Sequence, residues 1–248
     1  MLGIIGGSGL TQIADLEDIH RQIVATPYGE PSDALTCGRL QGREVVFLPR
    51  HGQAHAIAPH RINYRANLWA LHAQGVRDVV AVATVGGIAG DLGAGMLVVP
   101  DQIIDYTHGR EATYFDGVAQ PLAHTDFTQP FCQAMRQRLL RAGAGAGEAL
   151  RDGGTYGATQ GPRLESAAEI DRMAQDGAHL VGMTGMPEAA LARELGLCYA
   201  MLAVVVNPAA GRGASAGQIS MADIAAVSAA AMIRVRALLT AVVQAHGD

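Results

Sequence analysis

Short runs of apolar, largely β-branched residues recur along the chain at positions 2–5, 45–49, 79–84, 97–104, 180–183 and 199–206. None alternates with polar residues as a strand with one wet face would. Each is therefore predicted to be a strand covered on both faces. Segments of helical spacing lie between several of them. Residues 63–74 place Tyr64, Leu68 and Leu71 on one face and stop at Gly75, a helix-ending residue. Residues 187–195 stop before Gly196, and residues 221–246 form a closing helix rich in Ala, Val and Leu. This alternation predicts an α/β fold with a mainly parallel sheet, in one domain spanning residues 1–248. The Ala-Gly repeats of residues 141–148 are expected to be a flexible connection inside that domain.

Composition narrows the possibilities. The chain is 49% hydrophobic and 17% charged, which suits a packed globular domain, and its net charge of -5 gives no electrostatic basis for binding nucleic acid. No uninterrupted run of about 18 apolar residues occurs, so no membrane span is expected. The N-terminus has neither the basic region nor the long apolar stretch of a signal peptide. Cys37, Cys132 and Cys198 are scattered and odd in number, which indicates neither a disulfide framework nor a structural zinc site and suits a reducing cytoplasm. All 18 basic residues are Arg. With no Lys, Schiff-base chemistry and the P-loop lysine are excluded, and any anion must be held by Arg, backbone N–H groups and hydroxyls.

Candidate chemistry gathers at strand ends. Gly6-Gly7-Ser8-Gly9 follows the first run and suits either an anion nest or a plain turn. It fails the dinucleotide fingerprint, with Gln12 where the last glycine belongs. Arg50-His51-Gly52 follows the second run. An Arg fork beside an imidazole suits an oxyanion, with a zinc site from His51, His55 and His60 or an inert loop as the competing readings. Thr84-Val85-Gly86-Gly87 offers another hydroxyl and small residues. Met183-Thr184-Gly185-Met186-Pro187-Glu188 ends a strand and opens a helix; Met183 there could be core, and Glu188 a first-turn carboxylate facing the helix dipole. Asn207 precedes Pro208 at the end of the last run, and Glu165 follows Gly161-Pro162-Arg163-Leu164. Alone, Asn207 reads as a turn residue and Glu165 as a helix-start carboxylate. Ligands gather outside the carboxyl ends of strands in open α/β sheets, so these ends are expected to share one site.

Taken together, these stretches resemble the methylthioadenosine/purine nucleoside phosphorylase family, in its trimeric branch. Thr26-Pro27-Tyr28-Gly29 with Pro31-Ser32-Asp33, and Asn63-Tyr64-Arg65-Ala66-Asn67-Leu68-Trp69, add to the match in the family's order. The resemblance implies a single-domain phosphorylase-like fold, with a central mixed, distorted β-sheet flanked by helices. It also implies a homotrimer, with a dimer of trimers as the alternative, and no metal or organic cofactor, inorganic phosphate being a co-substrate. Carried over by position, it places phosphate at Ser8, Arg50, His51, Thr84, Val85 and Thr184, ribose at Met183 and the purine near Leu164. His124 would reach a neighbouring subunit's 5′ pocket, and Ile224 would supply an apolar wall of that pocket.

Two positions depart from methylthioadenosine phosphorylases. Asn207-Pro208-Ala209 stands where those enzymes carry Asp-x-Asp, and Glu165 is an acid where they have none. Both resemble phosphorylases of inosine and guanosine. Asn207 can donate to O6 of a 6-oxopurine and accept from N7–H, while Glu165 accepts from N1–H; adenine presents the opposite pattern. Asn207 is accordingly the expected catalytic residue. With the apolar Ile224, the expected reaction is phosphorolysis of 5′-methylthioinosine in purine salvage, against the alternatives of inosine/guanosine or methylthioadenosine phosphorolysis. Outside the class, a non-catalytic nucleoside or phosphate sensor and a nucleotide-cofactor oxidoreductase are the rival readings.

Overall fold

The computed structural model describes residues 1–13, 15–118 and 120–245. Eleven strands form one mixed sheet. Its backbone is β1 (Leu2–Gly6), β4 (Arg43–Pro49), β5 (Asp78–Gly87) and β11 (Cys198–Pro208). These pair in parallel, β4 to β1, β1 to β5 and β5 to β11. The predicted two-sided burial has a direct signature in the alternation of each strand. Ile5, Val46, Leu48 and Val79 enter one core with α1 (Tyr64–Ala73) and α4 (Gly185–Glu194). Their neighbours Ile4, Val45, Phe47 and Val80 enter a second core with α2 (Gln133–Gly145) and α5 (Met221–Gln244). Both faces are dry, which is why no polar alternation shows in these runs.

Several expectations are corrected. The run at 97–104 is two strands, β6 (Leu97–Val99) and β7 (Gln102–Asp105), because Pro100 lacks the N–H that a continuous ladder needs. Residues 141–148 are no flexible connection: α2 extends to Gly145, and Ala142 and Gly143 are buried. A Cβ on Gly143 would lie 2.6 Å from Leu150, so the glycine permits a close helix–strand contact. The cysteines are not all unpaired: Cys132 and Cys198 form a disulfide, leaving Cys37 free and buried. They are 66 residues apart, and only the docking of the α2 start on the β11 start, where Cys132 N–H donates to the Tyr199 carbonyl, brings them together.

Four strands escape the pattern. β2 (Glu17–Gln22) is an exposed edge strand, β3 (Leu35–Leu40) joins it antiparallel to β4, and β8 (Leu150–Asp152) and β9 (Thr155–Ala158) are short. α3 (Ala167–Gln175) begins at a Ser166–Glu169 capping box. Among the described residues, α5 alone is long and apolar enough to cross a membrane. Its stripe of Met232, Val235, Leu239 and Val243 is buried in the core. The predicted helix over 221–246 ends at Gln244, and His246 lies outside the described residues.

Candidate active site

The parallel strands β1, β4, β5 and β11 deliver their carboxyl ends to one side of the sheet. The last strand needed, β10 (Leu180–Gly182), pairs antiparallel with the end of β5, Val181 opposite Gly86. Met183 and Thr184 are thereby carried back alongside Thr84 and Val85. The result is one cavity of about 760 Å³. Ser8, Arg50, His51, Thr84, Val85, Leu164, Glu165, Met183, Thr184, Asn207 and Ile224 all line it. Of the residues that the resemblance assigns to phosphate, ribose, base or 5′ group, His124 alone does not; it is exposed on the segment between β7 and α2.

The glycine loop is shaped by close approach. A Cβ on Gly7 would stand 2.5 Å from the Val82 carbonyl oxygen and 3.0 Å from Arg50 Nη1. Gly9 has φ +81°, which a side chain would strain. Ser8 Oγ, held by this loop, lies 3.3 Å from His55 Nε2.

Arg50 is fully buried, and its charge is met by an equally buried Glu188. Nε and Nη2 donate to the two carboxylate oxygens at 2.6 and 2.9 Å, and Nη1 donates to the Val82 carbonyl at 2.9 Å. Tyr199 donates to the same carboxylate at 2.8 Å. Glu188 is therefore the partner that fixes the fork, not merely a first-turn acid. With Nε, one Nη2–H and one Nη1–H committed to Glu188 and Val82, one N–H on each terminal nitrogen remains for an oxyanion in the cavity.

His51 donates Nδ1–H to the Ile57 carbonyl at 2.8 Å, which leaves Nε2 with a lone pair. Burial, reinforced by the adjacent Arg50 charge, lowers its pKa to about 4, so the ring is neutral near pH 7. His51 and His55 contact each other with ring centroids 4.7 Å apart. Among the described residues no group of three His, Cys, Asp or Glu side chains is disposed to hold a metal ion, so His51, His55 and His60 do not form the zinc site considered above.

At the other end of the cavity, the hydroxyl of Thr159 donates to Glu165 Oε1 at 2.6 Å. Thr159 is itself buried, and its N–H donates to the Gly182 carbonyl. The β11 register shifts between Val205 and Asn207, a bulge that re-aims the Asn207 side chain. One Nδ2–H donates to the Pro208 carbonyl at 2.6 Å. The other N–H and Oδ1 are left for a ligand. Ile224 sits beside Met221, Ala225 and Met232 on the cavity wall given by α5.

Thr159 and Arg110 carry no sequence signal of their own. The first is a lone Thr just past the end of β9. The second is a lone Arg in a loop whose partners are up to 76 residues away.

The family model for the phosphorylase superfamily matches residues 1–244. The chain belongs to the phosphorylase superfamily. It is 50% identical over 242 residues to the probable S-methyl-5′-thioinosine phosphorylase of Pseudomonas syringae pv. tomato, covering 98% of each chain. It is 45% identical to the purine nucleoside phosphorylase of Streptomyces coelicolor, over 96% of this chain and 86% of the relative. Among solved structures, the methylthioadenosine phosphorylase of Schistosoma mansoni with bound adenine superposes with a TM-score of 0.93 at 30% identity, covering 99% of this chain and 91% of that one. The phosphorylase is thus an enzyme of the pentosyltransferase type, with the mixed, helix-flanked sheet of its relatives.

Proposed function

We propose that the protein cleaves 6-oxopurine nucleosides by phosphorolysis, with 5′-methylthioinosine as the preferred substrate, releasing hypoxanthine and 5-methylthioribose 1-phosphate. The observation that carries this reading is the placement of Glu165 and Asn207 in the same cavity as Arg50 and His51. The cluster of Arg50, His51, Ser8, Thr84, Val85 and Thr184 is suited to an oxyanion, with the neutral Nε2 of His51 accepting from the protonated phosphate oxygen. A phosphate oxygen forms the new bond to C1′ as the bond from C1′ to N9 breaks, and that electron pair passes into the purine. Asn207 stabilises the departing base by donating to O6 and accepting from a proton that N7 takes up. Glu165, fixed by Thr159, accepts from N1–H.

The apolar α5 wall of Met221, Ile224 and Met232 favours a methylthio group at the 5′ position. Ser228 supports a second reading. It is a buried hydroxyl one helical turn beyond Ile224 on the same wall and would suit the 5′-hydroxyl of inosine. A homotrimer using no metal or organic cofactor completes the proposal, with His124 reaching a neighbouring subunit. Turnover of 5′-methylthioinosine, inosine and 5′-methylthioadenosine, each with phosphate present and omitted, tests it. Phosphate-dependent release of hypoxanthine and a sugar 1-phosphate is expected. Rapid cleavage without phosphate would refute it.

A further inference from the structure

Arg110 does not line the cavity, yet it ties together the two loops that build it. Its Nε donates to Gln160 Oε1 at 3.1 Å. Nη1 donates to the carbonyls of Met183 and Met186 at 2.8 and 2.5 Å and to the Tyr64 hydroxyl at 3.2 Å. Nη2 donates to the carbonyls of Thr159 and Gln160 at 3.1 and 2.9 Å. The guanidinium also lies 5.5 Å from the Tyr64 ring centroid. None of these hydrogen bonds goes to a carboxylate. A cation that commits its planar fork to neutral oxygens on separate segments acts as a geometric brace.

The two braced loops carry different halves of the site. One runs from Thr159 to Glu165; the other holds Met183 and Thr184. Sheet pairing of β9 with β10 ends at Ala158 and Gly182, and the Thr159 N–H bond to Gly182 is the next backbone link. Beyond it the loops are in tight contact, since a Cβ on Gly161 would lie 2.4 Å from Met183 Sδ. The phosphate end has its own anchor in Arg50, Glu188 and Tyr199.

We propose that Arg110 is a positioning residue that sets the distance between the base reader, Glu165 on its Thr159 hydroxyl, and the sugar end of the site. This rests on the reading of Glu165 as the group that recognises a 6-oxopurine. The bond from Arg110 to the Thr159 carbonyl fixes the backbone whose side chain orients Glu165. Loosening it lets the carboxylate drift from N1–H while phosphate binding is retained.

The full-length enzyme carrying Arg110→Lys tests this. Lysine keeps the charge but cannot reproduce the fork. The expected nucleoside kcat/KM falls about 10²-fold, as a misplacement near 1 Å would cause. The ratio of kcat/KM for 5′-methylthioinosine over 5′-methylthioadenosine falls at least about tenfold, while KM for phosphate moves by less than about threefold. Thr159→Val lowers the same ratio, and the double variant is no worse than the poorer single one, since both act on one carboxylate. An unchanged ratio in Arg110→Lys, or additive losses in the double variant, overturns the proposal and leaves Arg110 a merely structural residue. Should Arg110→Lys not fold, Gln160→Ala removes the Nε contact together with the His108 N–H bond to the same amide oxygen, leaving the carbonyl contacts of Nη1 and Nη2 in place, and there a reduced ratio supports the proposal and an unchanged one overturns it. A wild-type enzyme without preference for 6-oxopurines would instead overturn the reading of Glu165, independently of these variants.

Discussion

Arg50 and Glu188 meet as a two-pronged ion pair 138 residues apart in sequence, with neither side chain exposed. Such a pair is costly to bury and more costly to break, because the survivor is left charged and without its partner. Glu188→Gln should lower the free energy of unfolding by about 3–5 kcal/mol. A urea titration of wild type and variant checks this, and coincident midpoints with equal slopes would contradict it.

His51 gives stability a pH dependence of known sign. Its folded pKa is about 4, below the ~6.5 of an unfolded histidine. Below about pH 6.5 the unfolded chain takes up a proton that the folded one refuses, so stability falls as pH falls. The contribution is fully present above that value and is lost progressively towards pH 4, to a limit of ~3 kcal/mol. Unfolding measured at pH 7.5 and pH 5 should show a smaller drop for His51→Asn than for wild type. Equal drops would contradict a neutral, buried ring.

Much of this was legible in the sequence for a physical reason. Strands buried on both faces show as uninterrupted apolar runs, and the loops at their ends hold the glycines, hydroxyls and Arg50-His51 that line the cavity. The illegible parts obey other rules. β2 exposes nearly every residue and carries no apolar signal. α2 ends in Ala and Gly, residues that read as a loosely ordered segment until Gly143 is seen packed on Leu150. The Glu188 carboxylate is indistinguishable from an ordinary helix-start acid until the fold sets it against Arg50. Arg110 acts through partners on other segments, and Thr159 acts through a Glu165 that only the folded loop turns back onto it, so no local spacing could reveal them.

Glu165→Gln tests the base reader without changing its shape. Replacing the carboxylate weakens a charge-assisted bond to N1–H by about 1.5–3 kcal/mol. The expected loss in kcat/KM for 5′-methylthioinosine is about 10–200-fold, with KM for phosphate nearly unchanged. Equal turnover by variant and wild type would show that Glu165 does not contact the base.

The most direct measurement is the ratio of kcat/KM for 5′-methylthioinosine to that for 5′-methylthioadenosine in the wild-type enzyme at saturating phosphate. These nucleosides differ only in the groups that Glu165 and Asn207 face. Mismatched buried donors and acceptors at both positions predict a ratio approaching ~10⁴. A ratio near one, or a preference for the 6-amino compound, would contradict the account.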